Sequence, residues 1–454
     1  MLEAPSRRTT RGRPAGPLVP IRWRIFAFLF GIGFLEYLQQ RGVTVAAAKI
    51  IPALDFSQMQ IGWLEQAFVI GYALCQIPGG VLGQRIGARW TFVGVGAVSV
   101  LCIAATSIAP AWINGTALFT VMFAMQFLLG VAQAPTFPVS TGVFEQWFKP
   151  RSWALVQGLQ TMGLGFGAAL APPLIAILMT TIGWQRALVW TAIPAIPLFI
   201  LWGWYGRDTP AEHPSVGPRE RALLHHADTS TVHRIPLSDL AATLLERNAL
   251  LLAFSYFSMN YVFYLLGNWC FLYLVQDRHF SILASGWLAM SPPIAAGIGA
   301  GVGGALASAL YARYGSRIGL RLIPLASLPS AGLLLLAAVH AGSAYVAIGM
   351  LTLCYGLVEL TEGSYWAAVM TVGRGNTMAV GGVMNTGGSL GGVVGIPIVA
   401  YLTGHGRWNT AFLLGAGFAL VSAIAWLFIE TSERPARAPH PIAAADAVPD
   451  AAAT

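Results

Sequence analysis

Twelve apolar runs, each close to the roughly 20 residues that cross a bilayer as a helix, follow one another along this chain. They lie near 25–47, 61–83, 91–110, 117–139, 153–181, 187–206, 249–275, 283–309, 322–341, 344–371, 377–403 and 409–429. In hydrocarbon such runs satisfy their own backbone groups as helices, so the expected fold is an all-α membrane protein with twelve transmembrane helices. Composition closes off the soluble alternative: 56% of residues are hydrophobic and only 10% are charged, far less charge than a soluble domain carries.

The net charge of +8 resembles a nucleic-acid footprint only until its placement is read. Twenty-one of the 26 Lys and Arg fall in alternate loops: six from Arg7 to Arg24, then Arg85, Arg89, Lys149, Arg151, five in the long central loop, Arg313, Arg317, Arg321, Arg374, Arg434 and Arg437. The opposite loops hold Lys49, Arg186, Arg278 and Arg407. By the positive-inside rule both termini are expected in the cytoplasm, with the protein in the cell inner (plasma) membrane. The basic start reads as the lead into a retained first helix, because the apolar run after it is too long for a signal peptide and lacks a small-residue cleavage site. Cys75, Cys102, Cys270 and Cys354 all sit in apolar runs and read as small buried hydrophobes. No disulfide, metal site, cofactor or catalytic residue is signalled.

A polar stretch with Pro and His interrupts the pattern once, after the sixth run. It divides the chain into a basic N-terminus (1–24), a six-helix half (25–206), a cytoplasmic linker (207–248), a second six-helix half (249–429) and an Ala- and Pro-rich tail (430–454) expected to be disordered. The halves repeat at an offset of 224 residues: Gly79-Gly80-x-Leu82 answers Gly303-Gly304-x-Leu306, and Gly163, Gly167, Pro173 and Leu178 answer Gly387, Gly391, Pro397 and Leu402. After a four-residue insertion Gly87 and Arg89 align with Gly315 and Arg317. Parallel halves related by an axis along the membrane normal place a substrate site near mid-bilayer between them.

Several ordered motifs add to this pattern. Tyr72-Ala73-Leu74-Cys75-Gln76-Ile77-Pro78-Gly79-Gly80 and Gly130-Val131-Ala132-Gln133-Ala134-Pro135-Thr136-Phe137-Pro138 are followed by Trp147-Phe148, Ala171-Pro172-Pro173, Gly183-Trp184, Glu212-His213-Pro214, Trp269-x-x-x-Tyr273-Leu274 and Gly382-x-x-Asn385-x-Gly387-Gly388. From Trp23 to Ile429 the chain resembles the anion:cation symporter family of the major facilitator superfamily, whose members include organic anion, phthalate and sugar-acid permeases. The resemblance implies a secondary active transporter that takes up a small organic anion, a carboxylate or sulfonate, by alternating access with a proton as coupling ion. It also implies a monomer in the lipid bilayer.

The chain departs from that family where charge is expected. Members typically carry an Asp-Arg pair in helix 1 and an Arg followed seven residues later by Glu in helix 4. Here Gln39 and Gln40 take the first pair, with Arg41 one place on, and Gln126 and Gln133 take the second. Glutamine does not titrate, so a proton route through helices 1 and 4 is in doubt. The remaining intramembrane acids become the coupling candidates: Glu36, and Glu359 with Glu362, which share a helical face with Trp366. Glu65 lies near the outer end of helix 2 and reads as solvated. Arg41 shares a stripe with Tyr37; it either offers a cation to the substrate, snorkels to the interface or pairs with Glu36.

The substrate-binding candidates are Arg41, Tyr72, Gln133, Gln160, Asn268, Trp366 and Asn385, of which Tyr72 and Asn385 match family motif positions. The same stripe logic adds Gln157, Thr161, Asn260, Tyr264 and Ser389 to the expected lining, with Trp269 as a possible wall. The gate candidates are Gln84, Arg85, Arg89, Arg313 and Arg317. The family usually has Asp where Gln84 and Ser308 stand, so the acidic brace must come from elsewhere or be weaker, and the expectation is an easier cytoplasmic opening. An enzyme is disfavoured, because no HExxH, paired His-Asp or Cys cluster falls in any span. Two alternatives stay open: facilitated diffusion or export without proton coupling, and a non-transporting ligand receptor on the same fold.

Overall fold

The computed structural model describes residues 19–224, 237–373 and 375–432. Most of the basic N-terminus, the middle of the linker, Arg374, and the tail with Arg434 and Arg437 lie outside the described residues.

Ten described helices are long and apolar enough to cross a membrane. One of them, Ser291–His340, is two spans joined at Gly315, whose φ of 79° interrupts the helix. One further crossing is split into Ile21–Gln40 and Gly42–Leu54, which meet at Arg41. Twelve spans result, as the apolar runs predict. Spans 2 and 3 are Gln58–Ile86 and Ala88–Ile108. Span 4 is Gly115–Gln133 with Thr136–Trp147, and span 5 is Trp153–Ile182. Span 6 is Trp184–Ala192 with Ala195–Tyr205, and span 7 is Arg247–Gln276. Span 8 runs up to Gly315 and span 9 on from it; span 10 is Ala344–Glu359 with Glu362–Gly373. Spans 11 and 12 are Thr377–Gly404 and Trp408–Phe428.

Local chemistry sets these breaks. Pro135 and Pro194 interrupt spans 4 and 6, because proline lacks the N–H that would continue the ladder. Gly87 turns the chain between spans 2 and 3 with φ 84°, as Gly315 does between spans 8 and 9; a side chain disfavours that conformation. Span 2 starts with a capping box: Ser57 Oγ accepts the Gln60 N–H, and Gln60 Oε1 accepts the Ser57 N–H at 2.8 Å.

Small residues let the two halves touch, and they do so symmetrically. A methyl at Gly80 of span 2 would meet the Met378 carbonyl of span 11; 224 residues on, a methyl at Gly304 of span 8 would meet the Ala154 carbonyl of span 5. The reciprocal approaches, Gly382 to the Gln76 carbonyl and Gly158 to the Ala300 carbonyl, repeat the same offset. Close backbone approach through small residues is how membrane helices gain dispersion contact without a hydrophobic driving force. All four contacts lie toward the basic face, where the described chain ends emerge. Large side chains such as Leu101, Leu333, Leu353 and Leu427 are exposed on the outside of the bundle, where lipid is the solvent.

Candidate functional site

A chamber with two adjoining lobes lies between the halves. The inner lobe encloses about 360 Å³, with Tyr37, Tyr264 and Tyr355 among its walls. The outer lobe encloses about 490 Å³ and is lined by amides, among them Gln40, Gln126, Gln133 and Asn268. It reaches Glu65 and Gln66 near the start of span 2, and so extends toward the face opposite the basic one. Arg41, Tyr37, Tyr72 and Phe137 line both lobes and mark the seam.

Three of the discontinuous spans put candidate residues at their breaks. Arg41 is the junction of span 1, Gln133 ends the first part of span 4, and Glu359 and Glu362 flank the break in span 10. Unwound positions at membrane depth are tolerated where they face protein or a cavity, and they free groups for ligands. Among the described residues the Arg41 guanidinium makes no hydrogen bond or ion pair; only its backbone is engaged, the N–H with the Tyr37 carbonyl and the carbonyl with the Val45 N–H. The pairing with Glu36 is not formed: Glu36 is buried and accepts a hydrogen bond from the Thr136 hydroxyl at 2.7 Å. Glu65 lines the outer lobe beside Thr44, within electrostatic reach of Arg41.

The first half answers its missing charges with an amide contact. Gln133 Nε2 donates to Gln39 Oε1 at 3.0 Å, and Gln39 Nε2 points at the Thr191 carbonyl at 3.5 Å. The equivalent family positions are both acidic; as amides they hold the two helices together with no proton to share. Gln160 stands behind the wall, fully buried with its amide donating to Ser140 Oγ at 3.0 Å, and Gln157 donates to Thr141. These two glutamines join spans 4 and 5 and face away from the chamber.

The second half keeps its carboxyls. Glu362 accepts the Trp366 Nε1–H at 2.9 Å and the Tyr256 hydroxyl at 3.2 Å. Glu359 is 4% exposed and lines the inner lobe, yet among the described residues no hydrogen bond reaches it. Trp366 stacks on Phe137 across the halves, with centroids 5.6 Å apart and planes at 23°. Asn385 Nδ2 of span 11 reaches Tyr72 OH of span 2 at 3.4 Å, a second bridge between halves. Trp269 lines the outer lobe, and among the described residues its indole N–H has no hydrogen-bond partner.

At the basic face the gate candidates divide. Gln84 Nε2 donates to the Gly375 carbonyl at 2.8 Å, and Ser308 Oγ accepts the Leu155 N–H at 2.9 Å. Both neutral residues thus reach the helix start in the other half that they face by symmetry. The acids come from elsewhere. Asp208, after span 6, accepts the Arg89 N–H at 2.8 Å at the start of span 3. Burial pushes its carboxyl up from its ordinary value, opposed by that N–H. Glu430, after span 12, pairs with Arg317 at 3.7 Å and Arg321 at 4.0 Å. Its hydrogen bond with Ser432 and the two arginines hold it below the usual carboxylate value. Arg89 Nε donates to the Gly203 carbonyl at 2.7 Å, whereas Arg85 and Arg313 are exposed, the latter over the neighbouring Tyr314 ring.

Sequence reasoning missed Tyr256, Tyr355, Thr136 and Asp208. Tyr256 and Tyr355 each stand four residues before a named candidate, Asn260 and Glu359, so extending the helical stripe one turn finds them. Thr136 and Asp208 act across 100 or more residues of sequence, and no local pattern marks them.

A Major Facilitator Superfamily family model matches residues 29–381. The chain is 26% identical over 406 residues to the hexuronate transporter of Bacillus subtilis, covering 88% of this chain and 93% of that one. It is 24% identical to a probable sulfoacetate transporter of Cupriavidus necator, covering 87% and 91%. A crystal structure of the transporter FucP in its outward conformation superposes with a TM-score of 0.69 at 16% identity, over 90% of this chain and 99% of that one. The proton:xylose symporter XylE superposes with a TM-score of 0.70 at 11% identity, over 91% and 97%; at such identities the likeness is one of fold.

Proposed function

The chain belongs to the Major Facilitator Superfamily, as a membrane transporter and not an enzyme, and from that premise we propose that it takes up a small organic anion by proton-coupled alternating access. The observation that carries the reading is the unpaired Arg41 guanidinium at the seam of a chamber between the halves. A fixed cation in a partly dry cavity attracts a carboxylate or sulfonate far more strongly than one in water does. The hexuronate and sulfoacetate named for its relatives are both such anions.

The basic face, assigned to the cytoplasm by its Lys and Arg, is the side on which spans 2 and 11, and 5 and 8, touch. The structure then corresponds to the outward-facing state, with Arg41 accessible from outside. Coupling falls to Glu359. Glu36 is engaged by Thr136, and Glu362 by Tyr256 and Trp366, which leaves Glu359, of the three coupling candidates, free to gain and lose a proton as the site changes sides. Gln84 and Ser308, with Asp208 and Glu430, serve as the cytoplasmic gate.

The neutral Gln39–Gln133 contact favours a second reading, flux without coupling. Uptake of labelled galacturonate and sulfoacetate into proteoliposomes, with and without an imposed inward proton gradient, decides between them. The expected result is accumulation that requires the gradient; equal, non-accumulating flux in both conditions contradicts symport. Binding without any flux identifies a receptor.

A further inference from the structure

The motif Glu212-His213-Pro214 lies away from the chamber, in the segment that leaves span 6. Residues 206–224 form a strap along the basic face of the first half, bent at Pro210 and Pro214 and ending in the short helix Pro218–Leu223. Two of its acids take helix starts. Asp208 accepts the Arg89 N–H of span 3, and Glu220 accepts the Ile21 and Arg22 N–H groups of span 1, each at 3.1 Å. Carboxylates suit these places, because the first N–H groups of a helix have no partner within it. The Trp147 indole at the end of span 4 donates to the Arg207 carbonyl at 3.2 Å, and Val216 and Leu224 are buried. One strap thus ties spans 1, 3, 4 and 6 together.

His213 is the buried peg at its middle, only 2% exposed. Its ring stands edge to face against Tyr205 of span 6 and Trp147 of span 4, with centroids 4.7 and 5.8 Å away. The Ser215 N–H donates to its Nδ1 at 3.2 Å, a bond that this nitrogen accepts only without a proton. The seat fits the neutral ring. The charged groups that face it are Arg207 just after span 6, Glu220 of the strap and Arg24 of span 1, while span 4 presents the Trp147 ring. Burial first, then Arg207 and Arg24, hold the His213 pKa below its ordinary value, against Glu220 and a Tyr205 backbone hydrogen bond that raise it.

We infer that His213 is a pH switch at the basic face, whose protonation unseats the strap and frees the starts of spans 1 and 3. A proton taken from solvent by Nδ1 removes the acceptor for the Ser215 N–H and leaves a cation enclosed between two rings. The released ring binds that proton more readily than the seated one. Docking is therefore complete above the ordinary histidine value of about 6.5 and weakens as the pH falls below it. Asp208 leaves span 3 with the strap, so on the gate role proposed for it above, acid on this face loosens the closure. That consequence rests on the gate reading, whereas the experiment below reads the strap itself.

Hydrogen–deuterium exchange of the purified full-length protein at about pH 7.5 and about pH 5.5, corrected for intrinsic exchange rates, tests the switch. Protection of the 207–224 peptides should fall about threefold or more at the acid pH, with that of span 12 unchanged. His213→Phe keeps a ring between Trp147 and Tyr205, and His213→Asn keeps an acceptor for the Ser215 N–H. Neither titrates, so the fall should be absent from both. Equal protection of the wild-type strap at the two pH values overturns the inference without recourse to any variant. A fall that survives in either variant overturns it too, and assigns the acid response to Asp208 or Glu220. Should both variants leave the strap unprotected even at the higher pH, histidine-selective nitrogen NMR of the wild type decides. The His213 ring must titrate at the midpoint of the loss of protection, and a separate midpoint overturns the switch.

Discussion

Span 4 and span 10 occupy corresponding places in the two halves, and both break beside the chamber, yet they bring different chemistry to it. At the break in span 4 an amide, Gln133, bonds a second amide, Gln39 of span 1. At the break in span 10 two carboxyls flank the gap; one is tied to Tyr256 and Trp366, and the other has no hydrogen bond among the described residues. The closing contacts show no such divergence: Gly80 with Met378 and Gly304 with Ala154 are related by one offset. Packing between the halves requires backbone to meet backbone on both sides, so it resists change in either half. Chamber chemistry can be concentrated in one half, because the substrate meets both at once. On the function proposed above, the first half keeps the anchoring cation and the second the carboxyl that carries the proton.

Arg41→Ala removes the one charge the first half retains at the seam and has the largest expected effect. Anion affinity falls about 10- to 100-fold, the range for a charge-assisted hydrogen bond lost in a cavity, and Arg41→Lys recovers part of it in equilibrium binding. Unchanged affinity in Arg41→Ala would move the anion site out of the first half.

Gly80→Val and Gly304→Val sharpen the symmetric side of the comparison. Each drives a branched side chain into the facing carbonyl, and each should disfavour the state closed at the basic face by about 1–3 kcal/mol. Thiol accessibility of cysteines introduced at the gate reads that shift, and the two variants should match. A large effect from one alone would show that the gate is not symmetric in energy.

Gln133→Leu has a smaller expected effect, because it deletes a neutral hydrogen bond and strands the Gln39 amide. A loss of about 1–2 kcal/mol in thermal stability, with gradient-driven uptake retained, is the outcome if the amide contact is structural. Loss of coupling with full stability would place proton traffic in the first half after all.

The sequence made the architecture legible because membrane solvent leaves so few options. Twelve apolar runs became twelve spans, and the 224-residue offset, read from matched Gly, Pro and Leu positions, recurs as paired interhelix contacts. Arg41, Gln133, Trp366, Asn385, Glu359 and Glu362, read from helical stripes, and Tyr72, read from a family motif position, line the chamber. What escaped was pairing across distance. Gln160 has the composition of a lining residue, but Ser140 holds it behind the wall. The weaker brace expected from Gln84 and Ser308 overlooked hydrogen bonds that neutral side chains still make to Gly375 and Leu155. That the acids come from elsewhere was left open, but Asp208 and Glu430 after spans 6 and 12 were not named, because they reach partners more than a hundred residues away.

The division of labour between the halves is tested most directly by the proton-gradient dependence of uptake in Glu359→Gln proteoliposomes beside wild type, with labelled galacturonate and sulfoacetate as probes. For whichever probe the wild type concentrates, Glu359→Gln should lose accumulation under the gradient yet still exchange internal for external label, because the site and the gate are intact while the proton carrier is gone. Accumulation equal to wild type in Glu359→Gln would contradict the account.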